Sequence, residues 1–347
     1  MADEPPSTPQ WFGGCRTTSS SSAGAPSCRS SSPCRRQQDL ECTGVARPRE
    51  NVVSQVEFVD GSPASRAALR WAADYAALHE KGLTLVHVLG AATPGSGLSP
   101  APDPLSSTEL ATWREGEGRR VLAGACRIVH ESLPDDQRGR IARRLIWGAP
   151  ASVLIEWSSR ADLVVLGRRS QETFRTALLG STGAAVSRHA HCPVAVIGDD
   201  EPAALARRTT ILVGVDGSPA SEWATAFAFA EASRRHLQLV ALHACTDAEA
   251  AELPSMEESC ARAFGARLLA ERLAGSKTDH PEVVVQPLVA DGDPAGQLIA
   301  HSAFAQLTVV GRRGRGGFHR MLLGSVSGAV LQAARSPVVV TPQPRRG

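Results

Sequence analysis

Val309-Val310-Gly311-Arg312-Arg313-Gly314-Arg315-Gly316-Gly317-Phe318, running on to Gly324-Ser325, is a short apolar run, a glycine-rich loop and the start of an Ala/Val-rich segment. Read as strand, loop and helix start, it forms a cradle for an anion. Glycine permits tight turns and close backbone approach, and the first free N–H groups of the following helix can face a phosphate. Arg312, Arg313, Arg315, His319 and Arg320 add positive charge to the loop. The spacing is Gly311, two residues, Gly314, nine residues, Gly324-Ser325.

Working outward from this loop, the same pattern occurs twice. Ile211 to Val215 reads as a strand, followed by Asp216-Gly217-Ser218-Pro219-Ala220-Ser221, which repeats Asp60 to Ser65 letter for letter at an offset of 156. His243 matches His87 at the same offset. Further on the offset is 144, pairing Gly292 with Gly148, Pro294 with Pro150, Gly311 with Gly167, Gly324-Ser325 with Gly180-Ser181, and Pro337 with Pro193. The difference, 156 − 144 = 12 residues, falls mid-repeat, where the first half carries the longer Gly/Pro/Ser-rich loop over 90–107. This is a tandem duplication of one α/β unit.

In the first half the pattern predicts a strand over 52–59, interrupted by Ser54, Gln55 and Glu57. Ser62 is placed to cap a helix whose first residue is Pro63. Helix over 64–78, strand over 83–88, helix over 108–132, strand over 140–146 and a short helix through Trp157 follow. Leu163 to Leu166 is a strand, Gly180-Ser181 starts a helix to His189, and Pro193 to Ile197 is the last strand. The fold class is therefore α/β: two tandem units, each a five-stranded, mainly parallel sheet covered by helices on both faces. In such sheets ligands bind beyond the carboxyl ends of the strands, where strand order reverses. Asp216 follows the first strand of its unit and Gly311 the fourth, so both converge on one crevice. The expected organisation is a low-complexity, disordered tail over 1–50, a unit over 51–199, a polar linker over 200–207, a second unit over 208–342 and a short tail over 343–347.

Composition narrows the function. A length of 347 residues suits two domains, and 42% hydrophobic with 21% charged residues describes a soluble globular chain. A formal net charge of +2 gives no bulk attraction to nucleic acid. No apolar stretch approaches the roughly 18 residues of a membrane span. The start is acidic and Pro/Ser-rich, unlike a secretory signal, so the expected location is cytoplasmic. Lys81 and Lys277 are the only lysines and neither lies in a glycine loop, which excludes a Walker A site. The eight cysteines contain no Cys-x-x-Cys pair and indicate no metal centre. The absence of Gly-x-Gly-x-x-Gly after the first strand argues against a nicotinamide-dependent dehydrogenase.

The valine strand ending in Asp-Gly-Ser, the Gly-x2-Gly-x9-Gly-Ser loop and the apolar-Pro-Val-Val-Val ending together resemble the universal stress protein family, in the tandem form of high-GC actinobacteria. The resemblance covers 51–199 and 208–342 and implies a Rossmann-like, adenine-nucleotide-binding fold. Carried over from ATP-binding members, it implies that Asp216 contacts the adenosine side, supported by Val215, and that Ala244 lines the adenine pocket. Gly311, Arg313 and Gly314 would surround ribose and phosphates, while Gly324, Ser325 and Val326 would present amides and a hydroxyl to the phosphates. The first half keeps Asp60, Val88, Gly167, Gly180 and Ser181, but Ser170 stands where Gly314 stands and Gln171-Glu172-Thr173 replaces Arg315-Gly316-Gly317. That brings a carboxylate toward a phosphate region, so the second half is expected to be the main site.

The implied function is a stress-response sensor or regulator that binds ATP, with or without Mg2+. The implied partners are the nucleotide, the other half of the chain, and a second copy through the terminal strands. The alternative is a structural or protein-interaction module of the same fold that binds no nucleotide. No catalytic site is assembled in the sequence; Asp291 and Asp293 are two loop acids able to hold Mg2+, which allows at most slow hydrolysis. Structural roles compete for several of these residues. Asp60 and Asp216 could be turn caps, His87 and His243 packing residues, and the loop arginines solvated charge. Trp71, Trp147, Trp157 and Trp223 read as core or interface anchors.

Overall fold

The computed structural model describes residues 38–40, 53–90, 107–134, 136, 138–168, 180–198, 202–245, 258–315 and 323–342. After the short strand β1 (Gln38–Leu40), the first half runs β2 (Val53–Phe58), α1 (Pro63–Leu78), β3 (Leu83–Leu89), α2 (Ser107–Ser132) and β4 (Ile141–Trp147). It continues with α3 (Pro150–Trp157), β5 (Ala161–Gly167), α4 (Ser181–His189) and β6 (Val194–Ile197). A short helix α5 (Pro202–Ala206) leads into β7 (Thr210–Gly214), α6 (Pro219–Arg235), β8 (Gln238–Cys245), α7 (Glu258–Asp279) and β9 (Val285–Asp291). The chain ends with α8 (Pro294–Ser302), β10 (Ala305–Gly311), α9 (Ser325–Ala333) and β11 (Val338–Thr341).

The duplicated start motif folds the same way twice. The Ser62 hydroxyl accepts from Ser65 N and the Ser218 hydroxyl from Ser221 N, each at 3.2 Å, and a proline follows each cap. Each half arranges its strands 3-2-1-4-5 in its own numbering, all parallel, as β4-β3-β2-β5-β6 and β9-β8-β7-β10-β11. The order reverses between the first and fourth strands, so the crevice of the second half opens between the ends of β7 and β10.

The two sheets are one. β6 pairs antiparallel with β11, setting Val196 opposite Val338, Ala195 opposite Val339 and Val194 opposite Val340. The terminal strands therefore pair with each other within the chain. This corrects the expectation that they could recruit a second copy, because their edges are already used. Alternation along the strands sends side chains to two cores. Val59, Leu85, Val213, Phe229 and Leu239 fill one, and Val56, Val86, Leu154, Leu212 and Leu331 the other.

Two features differ from the sequence reading. Gln38–Leu40, inside the stretch expected to lack structure, pairs antiparallel with β4 and extends the sheet to eleven strands. Two of the interruptions in the first strand are not at its surface: Gln55 and Glu57 are fully buried on the α1 side of β2. Gln55 Nε2 donates to Ala72 O at 3.2 Å, whereas both Glu57 carboxyl oxygens are without a partner among the described residues. Burial, with a smaller contribution from Asp60, raises the Glu57 carboxyl well above its ordinary value and so favours its neutral form.

Candidate functional site

The carboxyl end of β7 delivers Val215 and Asp216 to the crevice. Val215 is buried; its N–H donates to Leu242 O at 2.8 Å and its carbonyl accepts from His243 Nδ1 at 2.8 Å. His87 makes the same bond to Val59 O at 2.6 Å in the first half. Each ring lies against a helical glycine, where a Cβ on Gly118 or Gly265 would come 3.0 Å from the imidazole. Both histidines thus tie the second strand to the end of the first, the packing role expected for them. Ala244, one residue beyond His243, is buried beside Ala290 of β9.

Asp216 joins the two loops of the crevice. Its Oδ1 accepts from Ser218 N at 2.9 Å, and its Oδ2 accepts from Arg315 N at 3.0 Å. The Ser218 hydroxyl, besides capping α6, donates to Arg313 O at 3.2 Å. Gly217, at φ +74°, lies beneath the Arg315 guanidinium. The structure therefore brings together Val215, Asp216, Gly311, Arg313 and Gly314, with Ala244 at the end of the neighbouring strand. Gly316, Gly317, Phe318, His319 and Arg320 lie outside the described residues.

The other wall is the start of α9. Gly324 N donates to Arg312 O at 2.9 Å, and the Ser327 hydroxyl donates to Gly311 O at 2.6 Å, so loop and helix start are fixed to each other. Ser327 was not singled out in the sequence; a hydroxyl in the first helical turn after Gly324-Ser325 was its only signal. Gly324 offers no side-chain cap, leaving the first amides, those of Ser325 and Val326, without a side-chain acceptor among the described residues. The Nε of Arg313 is buried and has no partner among the described residues. Uncapped amides and an unused guanidinium nitrogen suit an anionic group.

Arg312 behaves differently from its neighbours. Its guanidinium donates to Ala190 O of the first half at 2.9 Å, so this arginine of the loop does not converge on the crevice. Burial, and then the adjacent Arg313, hold its value below that of an ordinary arginine. The two acids suggested for Mg2+ are also committed elsewhere. Asp293 caps α8 through Ala295 N at 3.0 Å and Gly296 N at 2.9 Å, while Asp291 pairs with Arg262 at 2.6 Å. Among the described residues no group of three metal-ligating side chains occurs.

In the first half, Asp60 Oδ1 accepts from Ser62 N at 2.9 Å and Val88 is buried at the end of β3. Gly167 ends β5, Gly180 is the uncapped residue before α4, and Ser181 opens that helix. Ser170 and Gln171-Glu172-Thr173, on which the expected difference between the halves rests, lie outside the described residues. No helix among the described residues is long and apolar enough to cross a membrane.

Residues 58–198 and 207–342 each match the family model described as the universal stress protein family. Universal stress protein Rv2005c of Mycobacterium tuberculosis is 43% identical over 300 residues, covering 86% of this chain and all (100%) of the relative. Universal stress protein Rv2623 of the same organism is 39% identical over 283 residues, covering 81% and 94% of the two chains. Among solved structures, a universal stress protein from Archaeoglobus fulgidus superposes with a TM-score of 0.63 at 19% identity, covering 84% of this chain and 98% of that one. That last likeness speaks for the fold.

Proposed function

This chain belongs to the universal stress protein family, and on that premise we propose that its second half binds ATP and serves as a nucleotide-dependent sensor or regulator of the stress response. The observation that carries the reading is the pairing, at the reversal of strand order, of an acceptor with an anion cradle. Asp216 stands on one side; the uncapped start of α9 and Arg313 stand on the other. In this reading Val215 and Ala244 supply the apolar walls for the base. Asp216 takes a ribose hydroxyl with the carboxylate that also fixes the glycine loop. Gly311 and Gly314 let the backbone approach the ribose and phosphates, and the Ser325 hydroxyl with the amides of Ser325 and Val326 receives the phosphate oxygens.

Mg2+ would enter with the nucleotide rather than occupy a site built from this chain, since Asp291 and Asp293 are engaged elsewhere. The reading is therefore one of binding and signalling, with hydrolysis slow at most. A role for the first half as a structural partner is favoured by the β6–β11 pairing, which builds a pseudo-symmetric pair inside one chain.

The test is to denature freshly purified protein and quantify released nucleotide per chain, then to titrate the emptied protein with Mg-ATP by calorimetry. One nucleotide per chain is the expected result. No released nucleotide and no heat of binding would overturn the reading in favour of the interaction module. Two per chain would show that the first half also binds.

A further inference from the structure

Arg168 and Arg312 occupy equivalent places, 144 residues apart, each directly after the fourth strand of its half. In the sequence both are loop cations next to a candidate phosphate site. In the structure each reaches across the junction to the other half. Arg168 Nη1 donates to Leu331 O at 3.1 Å and Gln332 O at 2.6 Å, and its Nη2 donates to Ala334 O at 2.7 Å. These are carbonyls at the end of α9, the helix whose first turn faces the crevice of the second half. Arg312 makes the reciprocal contact to Ala190 O, just past the end of α4.

The last carbonyls of a helix have no intrahelical partners and carry its negative end, so a guanidinium there both satisfies and attracts them. Helix α9 is consequently gripped at both ends by the two loop-opening arginines. Arg312 O holds Gly324 N at its start, and the Arg168 side chain holds its finish. At about 1.5 Å per residue, its 9 residues make a short stiff rod. A tilt allowed at the finish is transmitted to the amides at the start. The loops' own backbones are equally anchored, through Arg168 N to Ile197 O at 2.7 Å and Arg312 N to Thr341 O at 2.9 Å.

We propose that Arg168, a residue of the first half, is a positioning residue for the nucleotide site of the second half: it fixes α9 so that the amides of Ser325 and Val326 meet the phosphates. The inference rests on the nucleotide-binding reading. It makes the first half a working part of the second site, because the grip on α9 comes from the first half's own glycine loop.

The experiment is calorimetric titration of the full chain with Mg-ATP and, separately, with adenosine, for the parent, Arg168→Ala, Arg168→Lys and the control Arg70→Ala on the exposed side of α1. Arg168→Ala should weaken Mg-ATP about fivefold or more at unchanged stoichiometry, leaving adenosine affinity within about twofold. Lysine keeps the charge but lacks the planar fork that serves three carbonyls, so Arg168→Lys should fall between parent and alanine. If the alanine variant fails to fold, an Arg168→Lys loss of about twofold or more, confined to Mg-ATP, carries the same conclusion. Equal Mg-ATP affinity in parent and variants, or equal losses for adenosine and Mg-ATP, would overturn the positioning role. A parent protein that binds neither ligand would instead overturn the nucleotide reading, and this inference with it.

Discussion

The carboxylate of Asp216 accepts the backbone N–H of Arg315 at 3.0 Å, closing a contact between residues 99 apart in the chain. The contact ties the turn after β7 to the loop after β10. The contact depends on the residue before Arg315 having no side chain, because a Cβ on Gly314 would lie 2.5 Å from Asp216 Oδ2. Gly314→Val should push the loop off Asp216 and weaken Mg-ATP binding about tenfold or more. Since Gly314 is exposed, the melting temperature should stay close to that of the parent. Calorimetry and thermal unfolding on the same sample check both halves of the expectation. Undiminished affinity would mean that Asp216 does not organise the site.

Two glycines of the same motif should differ in how much stability they lose. A Cβ on Gly311 would lie 2.7 Å from Ala220 C and 2.8 Å from Ala220 O, backbone atoms of the first turn of α6. Gly311→Ala should therefore cost about 1–3 kcal/mol of stability in urea unfolding. At Gly324 the nearest atom to a Cβ among the described residues is Arg312 O at 3.5 Å, and φ is −67°, a conformation open to any residue. Gly324→Ala should lose less than about 1 kcal/mol, the ordinary penalty of alanine at a helix cap. Equal losses at the two positions would show that the helix–strand crossing at Gly311 is looser than described.

Glu57 stands where the second half has Val213, and its fully buried carboxyl has no partner among the described residues. Its folded value is raised, so the stability it allows is fully present below the unfolded value near 4.5 and is lost as pH rises toward the folded value. Glu57→Val should stabilise the chain by roughly 1–3 kcal/mol at neutral pH, the cost of an unsatisfied buried polar group. The advantage should shrink as pH falls toward the unfolded value and level off below it. Melting curves of parent and variant across an acid-to-neutral series test this. A gap independent of pH would mean that Glu57 finds a partner.

Much of this architecture is written locally, which is why it could be read. Asp-Gly-Ser-Pro fixes a turn, a cap and a first helical residue in four letters, and the structure forms it identically at Ser62 and Ser218. The alternation of valine strands with helices, repeated at a constant offset, fixes a parallel sheet in each half. What could not be read depends on partners far away in sequence. Arg312 and Arg313 are adjacent and each has a buried Nε without a partner among the described residues, yet Arg312 reaches Ala190 across the junction while the carbonyl of Arg313 accepts from Ser218 at the crevice; nothing in a run of arginines separates them. Asp291 and Asp293 likewise owe their roles to Arg262 of α7 and to the start of α8, neither of which a pair of loop acids announces. Glu57 resembled a defect in a strand because its burial is set by α1 and by the strands on either side.

The junction of the halves contains one more charge cluster that periodicity could not reveal. His79 Nε2 of α1 sits 2.8 Å from Glu231 Oε1 of α6, and Arg235 Nε donates to Glu231 Oε2 at 2.9 Å. The His79 and Glu231 side chains are 3% and 2% exposed. The Tyr75 ring stacks on His79 with centroids 3.9 Å apart. Burial alone would raise the Glu231 carboxyl, but the His79 hydrogen bond and the Arg235 charge outweigh it and hold the group below its ordinary value. With the folded value depressed, the cluster contributes stability above the unfolded value near 4.5 and loses it as pH falls through the folded value. Glu231→Ala removes the acceptor that faces His79 and leaves the Arg235 charge without its carboxylate in the junction, and should cost about 3–5 kcal/mol at neutral pH. Because the cluster links α1 to α6, unfolding in urea should also change from one transition to two, with the halves releasing separately. Fluorescence-detected unfolding at neutral and acid pH is the measurement. A loss that persists undiminished below the folded value of Glu231, or a single unshifted transition in the variant, would show that the β6–β11 strand pairing alone holds the halves together.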